Sequence, residues 1–102
     1  MTIGELCKKA HKNAKQKGFW DDWEGSNKLH ATATRLALIH SEISEALEAL
    51  RHNNKENFEE ELADTCIRIF DLCGGLGIDL EKAITEKMVR NEKRPYKHGK
   101  QF

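Results

Sequence analysis

Proline is nearly missing from this chain: Pro95 is the single one in 102 residues. Alternating β-branched runs are scarce as well, so β-strands are poorly supported. Cysteine is sparse and odd in number, at three. Cys66 and Cys73 lie two turns apart on one expected helix, about 10 Å by helical rise, too far to bridge. They read as buried, reduced core residues, which excludes a disulfide scaffold. No apolar run approaches the roughly 20 residues that span a bilayer, so no membrane partner is expected. The segment Met1–Gly18 lacks the apolar stretch and cleavage site of a secretory signal, which makes the cytoplasm the expected location. A surplus of one charge is also lacking, since Lys+Arg and Asp+Glu both count 17. Stable nucleic-acid binding, which draws on excess positive charge, is therefore not expected.

What is present is helix. The length sets one domain over residues 1–102, and a core this small favours association of several copies. A first helix is expected over Thr2–Gln16, with Ile3, Leu6, Cys7, Ala10 and Ala14 on one stripe. A loop from Gly18 to Lys28 follows, carrying Phe19, Trp20 and Trp23. The second helix, Lys28–His52, repeats Leu29, Ala33, Leu36, Ile43, Leu47 and Leu50 at spacings of three, four and seven, a seam expected to face the bundle. Asn54 can cap a third helix over Lys55–Cys73, with Phe58, Leu62, Cys66, Ile69 and Cys73 inward. Gly74, Gly75 and Gly77 are expected to end it. Asp79 caps a fourth helix from Leu80 to Glu92, with Leu80, Ile84 and Met88 inward. A tail from about residue 95 to 102 is expected to be extended. The expectation is an all-α, antiparallel four-helix bundle.

The acidic residues carry the most specific pattern. Glu42 and Glu45 stand three apart on the second helix, and Glu61 and Asp64 repeat that spacing on the third. A spacing of three brings two side chains within roughly 60° on one helix face. If the helices pack through their seams, four carboxylates meet, and they repel unless a cation sits among them. All-oxygen ligation selects Mg²⁺ or Mn²⁺. The plainer alternative is a pair of solvated acidic faces, as expected for the salt-bridge spacings Glu48/Arg51 and Arg68/Asp71. A di-iron bundle is disfavoured because no Glu-x-x-His occurs.

Basic residues gather near the end of the chain. Lys87, Arg90, Asn91 and Arg94 recur at helical intervals, and Lys97, His98 and Lys100 extend the charge. Such donors can hold a triphosphate, or simply complement a helix C-terminus. Trp20 and Trp23 can stack on a base, or anchor the loop to the core. His40 reads as a packing or hydrogen-bonding residue.

Three segments taken together, Leu38–Ala49, Glu60–Asp64 and Lys87–Lys100, resemble the MazG-like nucleotide pyrophosphohydrolases of the all-α NTP pyrophosphatase superfamily. The family pattern is Glu-Glu-x-x-Glu followed at a distance by Glu-x-x-Asp. Its second and third acids fall on Glu42 and Glu45, the later pair on Glu61 and Asp64, and Ser41 replaces the leading Glu. The resemblance implies hydrolysis of a nucleoside triphosphate to the monophosphate and pyrophosphate. It further implies Mg²⁺ on the four acids, which would also carry the catalysis, and Lys87, Asn91 and Arg94 on the phosphate side. Lys97 and Trp20 complete the expected substrate contacts. Members form dimers or tetramers, so a homodimer or homotetramer is expected. Two rival readings are a pyrophosphatase of a specialised metabolite such as phosphoribosyl-ATP, and a non-catalytic helical binding protein.

Overall fold

The computed structural model describes residues 1–102 and contains four α-helices and no strand. They are α1 (Ile3–Gln16), α2 (Lys28–Arg51), α3 (Lys55–Leu76) and α4 (Leu80–Glu92). Local chemistry explains three of the starts. Thr2 forms a capping box, accepting from the Glu5 amide at 3.1 Å while Glu5 accepts from the Thr2 amide. The side chains of Asn54 and Asp79 accept from the Asn57 and Lys82 amides at 3.1 and 3.0 Å. No helix is long and apolar enough to cross a membrane.

The central element is α3, which packs against α1 on one side and α2 on the other. Within the expected four-helix arrangement, α4 touches the rest of the chain chiefly at α1. One such contact is the Ile3 amide donating to Glu81 at 3.1 Å. The short link His52–Asn54 folds α2 and α3 into a hairpin, which sets the distance between their acidic pairs.

The structure corrects the expected end of α3. The helix runs on through Gly74 and Gly75 to Leu76, and only Gly77 adopts the left-handed conformation, at φ 69°. A Cβ on Gly74 would lie 2.5 Å from the Cys7 carbonyl oxygen, and one on Gly75 would overlap the Trp20 ring. These two glycines therefore let α1 and the Trp20 ring approach α3 closely.

The seam of α2 is also placed differently. Its buried residues are Ala31, Arg35, Glu42, Ala46 and Ala49, whereas Leu29, Leu36, Ile43, Leu47 and Leu50 are exposed. Small alanines on the inner stripe admit α3 at short range, which a leucine stripe would prevent. On α3, Leu62 and Cys66 are exposed and the buried positions are Thr65, Leu72 and Cys73; on α4, Met88 is exposed. Cys7 and Cys73 are buried and free, and burial raises both thiol pKa values. The tail is not fully extended: Tyr96–Gly99 form a single 3₁₀ turn.

Candidate metal and substrate site

Because α2 and α3 form a hairpin, the i,i+3 pairs of the two helices face each other. Oxygens of Glu42, Glu45 and Glu61 lie within 4.8 Å of one another. Asp64 stands outside this trio, exposed, and joins Glu42 in lining the neighbouring cavity. The trio has unequal surroundings. Glu42 is buried and accepts from Arg68 Nε at 2.8 Å, and this contact holds its carboxyl below the ordinary value. Glu61 has an oxygen, Oε2, that is shut off from solvent and has no hydrogen-bond partner. Hydrogen bonding to Glu42, desolvation and the nearby Glu45 push its pKa from 4.5 up to about 7.

Clustered carboxylates with an orphaned acceptor form a donor set that fits a hard cation, since they lower one another's acidity until a positive charge enters. Without one, a proton on Glu61 takes that place near neutral pH. Glu42, Glu45 and Glu61 could hold such an ion. Beside them lies a cavity of about 410 Å³ between α1, α2 and α3, whose apolar wall includes Ala14, Phe19, Leu38 and Ile67. Asn13 and Lys17 join the charged side chains of Arg35, Glu42, Asp64, Arg68 and Asp71 as its polar lining. A volume of this size, lined by both apolar and charged side chains, admits a small molecule of nucleoside dimensions.

Residues with little sequence signal shape this cavity. Arg68 was expected to pair with Asp71 along α3; instead it reaches across to Glu42. Asp71 accepts from Trp20 Nε1 at 2.8 Å and contacts His11 Nδ1 at 3.0 Å. Arg35, buried on α2, donates to Asp22 at 2.8 Å and to the Phe19 carbonyl at 2.9 Å, and its guanidinium lies 3.9 Å over the Trp20 ring. These bonds fasten the aromatic loop to α2, and the Arg35 contact lowers the Asp22 pKa. One signal was legible: Arg68 follows Asp64 by four and Glu61 by seven, so all three share a helix face.

Trp20 is buried, with Arg35 over its ring and the edges of His11 and Trp23 against it. In this structure it anchors the loop and offers no open stacking face. The basic residues are not brought to the acids within one chain. Lys87, Asn91 and Arg94 sit on α4 or just beyond it, and none of them lines the cavity. The Asn91 side-chain oxygen is buried without a partner. Lys97 lies 5.8 Å from its neighbour Tyr96 and donates to the Gln101 carbonyl at 3.5 Å. His40 is exposed on the outer stripe of α2. Glu48 and Arg51 form the expected surface ion pair at 2.9 Å.

The family model described as the MazG-like family matches residues 37–102, a span that includes all four acids and the whole of α3 and α4. No curated protein and no solved structure matches the chain.

Proposed function

The chain belongs to the MazG-like family, and from that premise we propose that it is a Mg²⁺-dependent nucleoside triphosphate pyrophosphohydrolase. It converts a nucleotide or deoxynucleotide triphosphate to the monophosphate and pyrophosphate, as part of nucleotide-pool housecleaning in the cytoplasm. The observation that carries the reading is the trio Glu42, Glu45 and Glu61 within 4.8 Å, with one Glu61 oxygen buried and unpaired beside a nucleoside-sized cavity.

Glu42, Glu45 and Glu61, with Asp64 as the fourth acid, would hold the metal. When bound, it neutralises the phosphate chain and lowers the pKa of a water. The protein's own residues do the rest. The apolar wall at Phe19, Leu38 and Ile67 takes the nucleoside and excludes water from one side of it. One of the four acids, or the metal, would activate the attacking water. Arg68 orients Glu42 through the Nε bond. Water is added across the α–β anhydride, and pyrophosphate leaves with the bridging oxygen. Lys87, Asn91, Arg94 and Lys97 stand apart from the acids within one chain, so in this reading they would bind phosphates from α4 and the tail of a second copy. Charge neutralisation and positioning suffice for this chemistry, and no activated Ser or Cys is needed.

The test is pyrophosphate release from a panel of NTPs and dNTPs with Mg²⁺, with EDTA, and with Glu45→Gln. Release with Mg²⁺ is expected, falling at least about a hundredfold in the variant and in EDTA. Full activity in either condition would refute the assigned roles. Failure of a folded protein on every nucleotide would point to a specialised substrate.

A further inference from the structure

We propose that Asp71 reads the base in the cavity, selecting nucleotides of cytosine and adenine, which carry an exocyclic amino group, over their keto counterparts. The inference rests on the nucleotide reading above and names the bases that site takes. Position, hydrogen bonding and base chemistry lead there.

The first observation is position. Asp64, Arg68 and Asp71 follow at spacings of four and three, so they form one stripe of α3, and all three line the cavity. Glu42 and Asp64 mark its acidic end, where the phosphates would lie. Asp71 stands seven residues beyond Asp64, about 10 Å by helical rise, a separation of nucleoside length. The base is therefore the part of the nucleotide that reaches Asp71. Phe19, the chain neighbour of Trp20, lines the same cavity at 64% exposure and offers an open aromatic surface to the plane of a base.

The second is the hydrogen bonding of the carboxylate. Its Oδ1 accepts from Trp20 Nε1 at 2.8 Å and from His11 Nδ1 at 3.0 Å, which fills both acceptor positions of that oxygen. Its Oδ2 has no partner within the chain. The only unpartnered side-chain oxygens shut off from solvent belong to Glu61 and Asn91, so Oδ2 is open. The arginines of the cavity wall are engaged elsewhere, Arg68 with Glu42 and Arg35 with Asp22, each at 2.8 Å. Two donors thus fix the carboxylate, and one acceptor oxygen remains for a ligand.

The third is chemistry. A carboxylate oxygen accepts a hydrogen bond and has none to give. Cytosine N4 and adenine N6 present N–H donors where thymine and uracil O4, or hypoxanthine O6, present lone pairs. The amino group satisfies Oδ2. A keto group sets acceptor against acceptor and leaves a desolvated carboxylate oxygen without a donor.

The experiment is titration calorimetry on the full chain with Mg²⁺, using α,β-methylene analogues of dCTP, dUTP, dATP and dITP. These resist cleavage at the α–β bridge, so affinity is read without turnover. The dCTP analogue should bind about tenfold or more tighter than the dUTP analogue, and the dATP analogue likewise over the dITP analogue. Asp71→Asn keeps an oxygen for Trp20 Nε1 and turns an NH₂ donor toward the cavity. Both ratios should then fall by about tenfold or more, to unity or to a keto preference. Unchanged tryptophan emission in the variant reports that the loop is still fastened; should the loop come free, the two native ratios decide alone. Equal native affinities within each pair, a native keto preference, or no binding of any analogue overturns the inference. Ratios unmoved by Asp71→Asn in a fastened loop overturn the role of Asp71. Cleavage of nucleotides together with equal binding within each pair refutes the base reading alone. Amino-selective binding without cleavage of the parent nucleotides supports it and refutes the hydrolase reading alone.

Discussion

Glu61 shows how much a single residue's environment decides. On α3 it is one acid among several, but the hairpin brings Glu42 and Glu45 against it and leaves its Oε2 without a donor. Its carboxyl therefore ionises near pH 7, not at 4.5. A metal must displace that proton, so apparent Mn²⁺ or Mg²⁺ affinity, read by titration calorimetry, should fall as pH drops below about 7, approaching tenfold per pH unit. Stability without metal has the opposite sign. A raised carboxyl pKa means the folded state binds the proton more tightly than the unfolded one, so this contribution is full below about pH 4.5 and lost as pH rises through about 7. Glu42, lowered by Arg68, adds stability that is lost only at acid pH, below the ordinary value of 4.5. Metal-free protein should thus have a higher urea midpoint near pH 5.5 than near pH 8. Glu61→Gln should flatten that difference, and an undiminished slope in the variant would place the titrating group elsewhere.

At the scale of the elements, α3 sets the geometry. It touches α1 and α2, carries Glu61, Asp64 and Arg68 on one face, and ends in a glycine-bearing turn that clasps the Trp20 ring. The ring in turn donates to Asp71 and lies beneath Arg35, so the loop before α2 is tied to both neighbouring helices. Gly75→Ala should improve intrinsic helix propensity by about 1 kcal/mol yet drive a methyl into that ring. The clash should prevail, with a net loss of about 1–3 kcal/mol by urea unfolding and a repositioned tryptophan visible in its fluorescence. A variant as stable as the native protein would mean that the ring yields freely.

For the whole molecule, the decisive feature is how little one copy buries. A chain with ten buried residues and an exposed leucine stripe is expected to draw part of its folding free energy from association. Its thermal midpoint should consequently rise with protein concentration, by a few degrees per tenfold, followed by circular dichroism. A midpoint independent of concentration would mean that the single chain is sufficient. Helix α4 has few partners within the chain, and its Met88 and Val89 stay exposed.

The amino-acid sequence alone determined the four helices, their caps at Thr2, Asn54 and Asp79, and the two acidic pairs at i,i+3. All of these depend on neighbours within one helical turn, and so they are legible without the fold. Tertiary structure decided which stripe of α2 turns inward, whether Gly74 and Gly75 end a helix or sit inside it, and where Arg68 and Trp20 point. Each of those depends on how closely two helices distant in sequence approach. On α2 the leucine stripe is the more apolar of the two, since the inner one includes Arg35 and Glu42, and periodicity alone therefore favours the wrong face. The small residues Ala31, Ala46 and Ala49 win the contact with α3 because they permit the shorter interhelical distance, and that distance is what brings Glu42 and Glu45 within reach of Glu61.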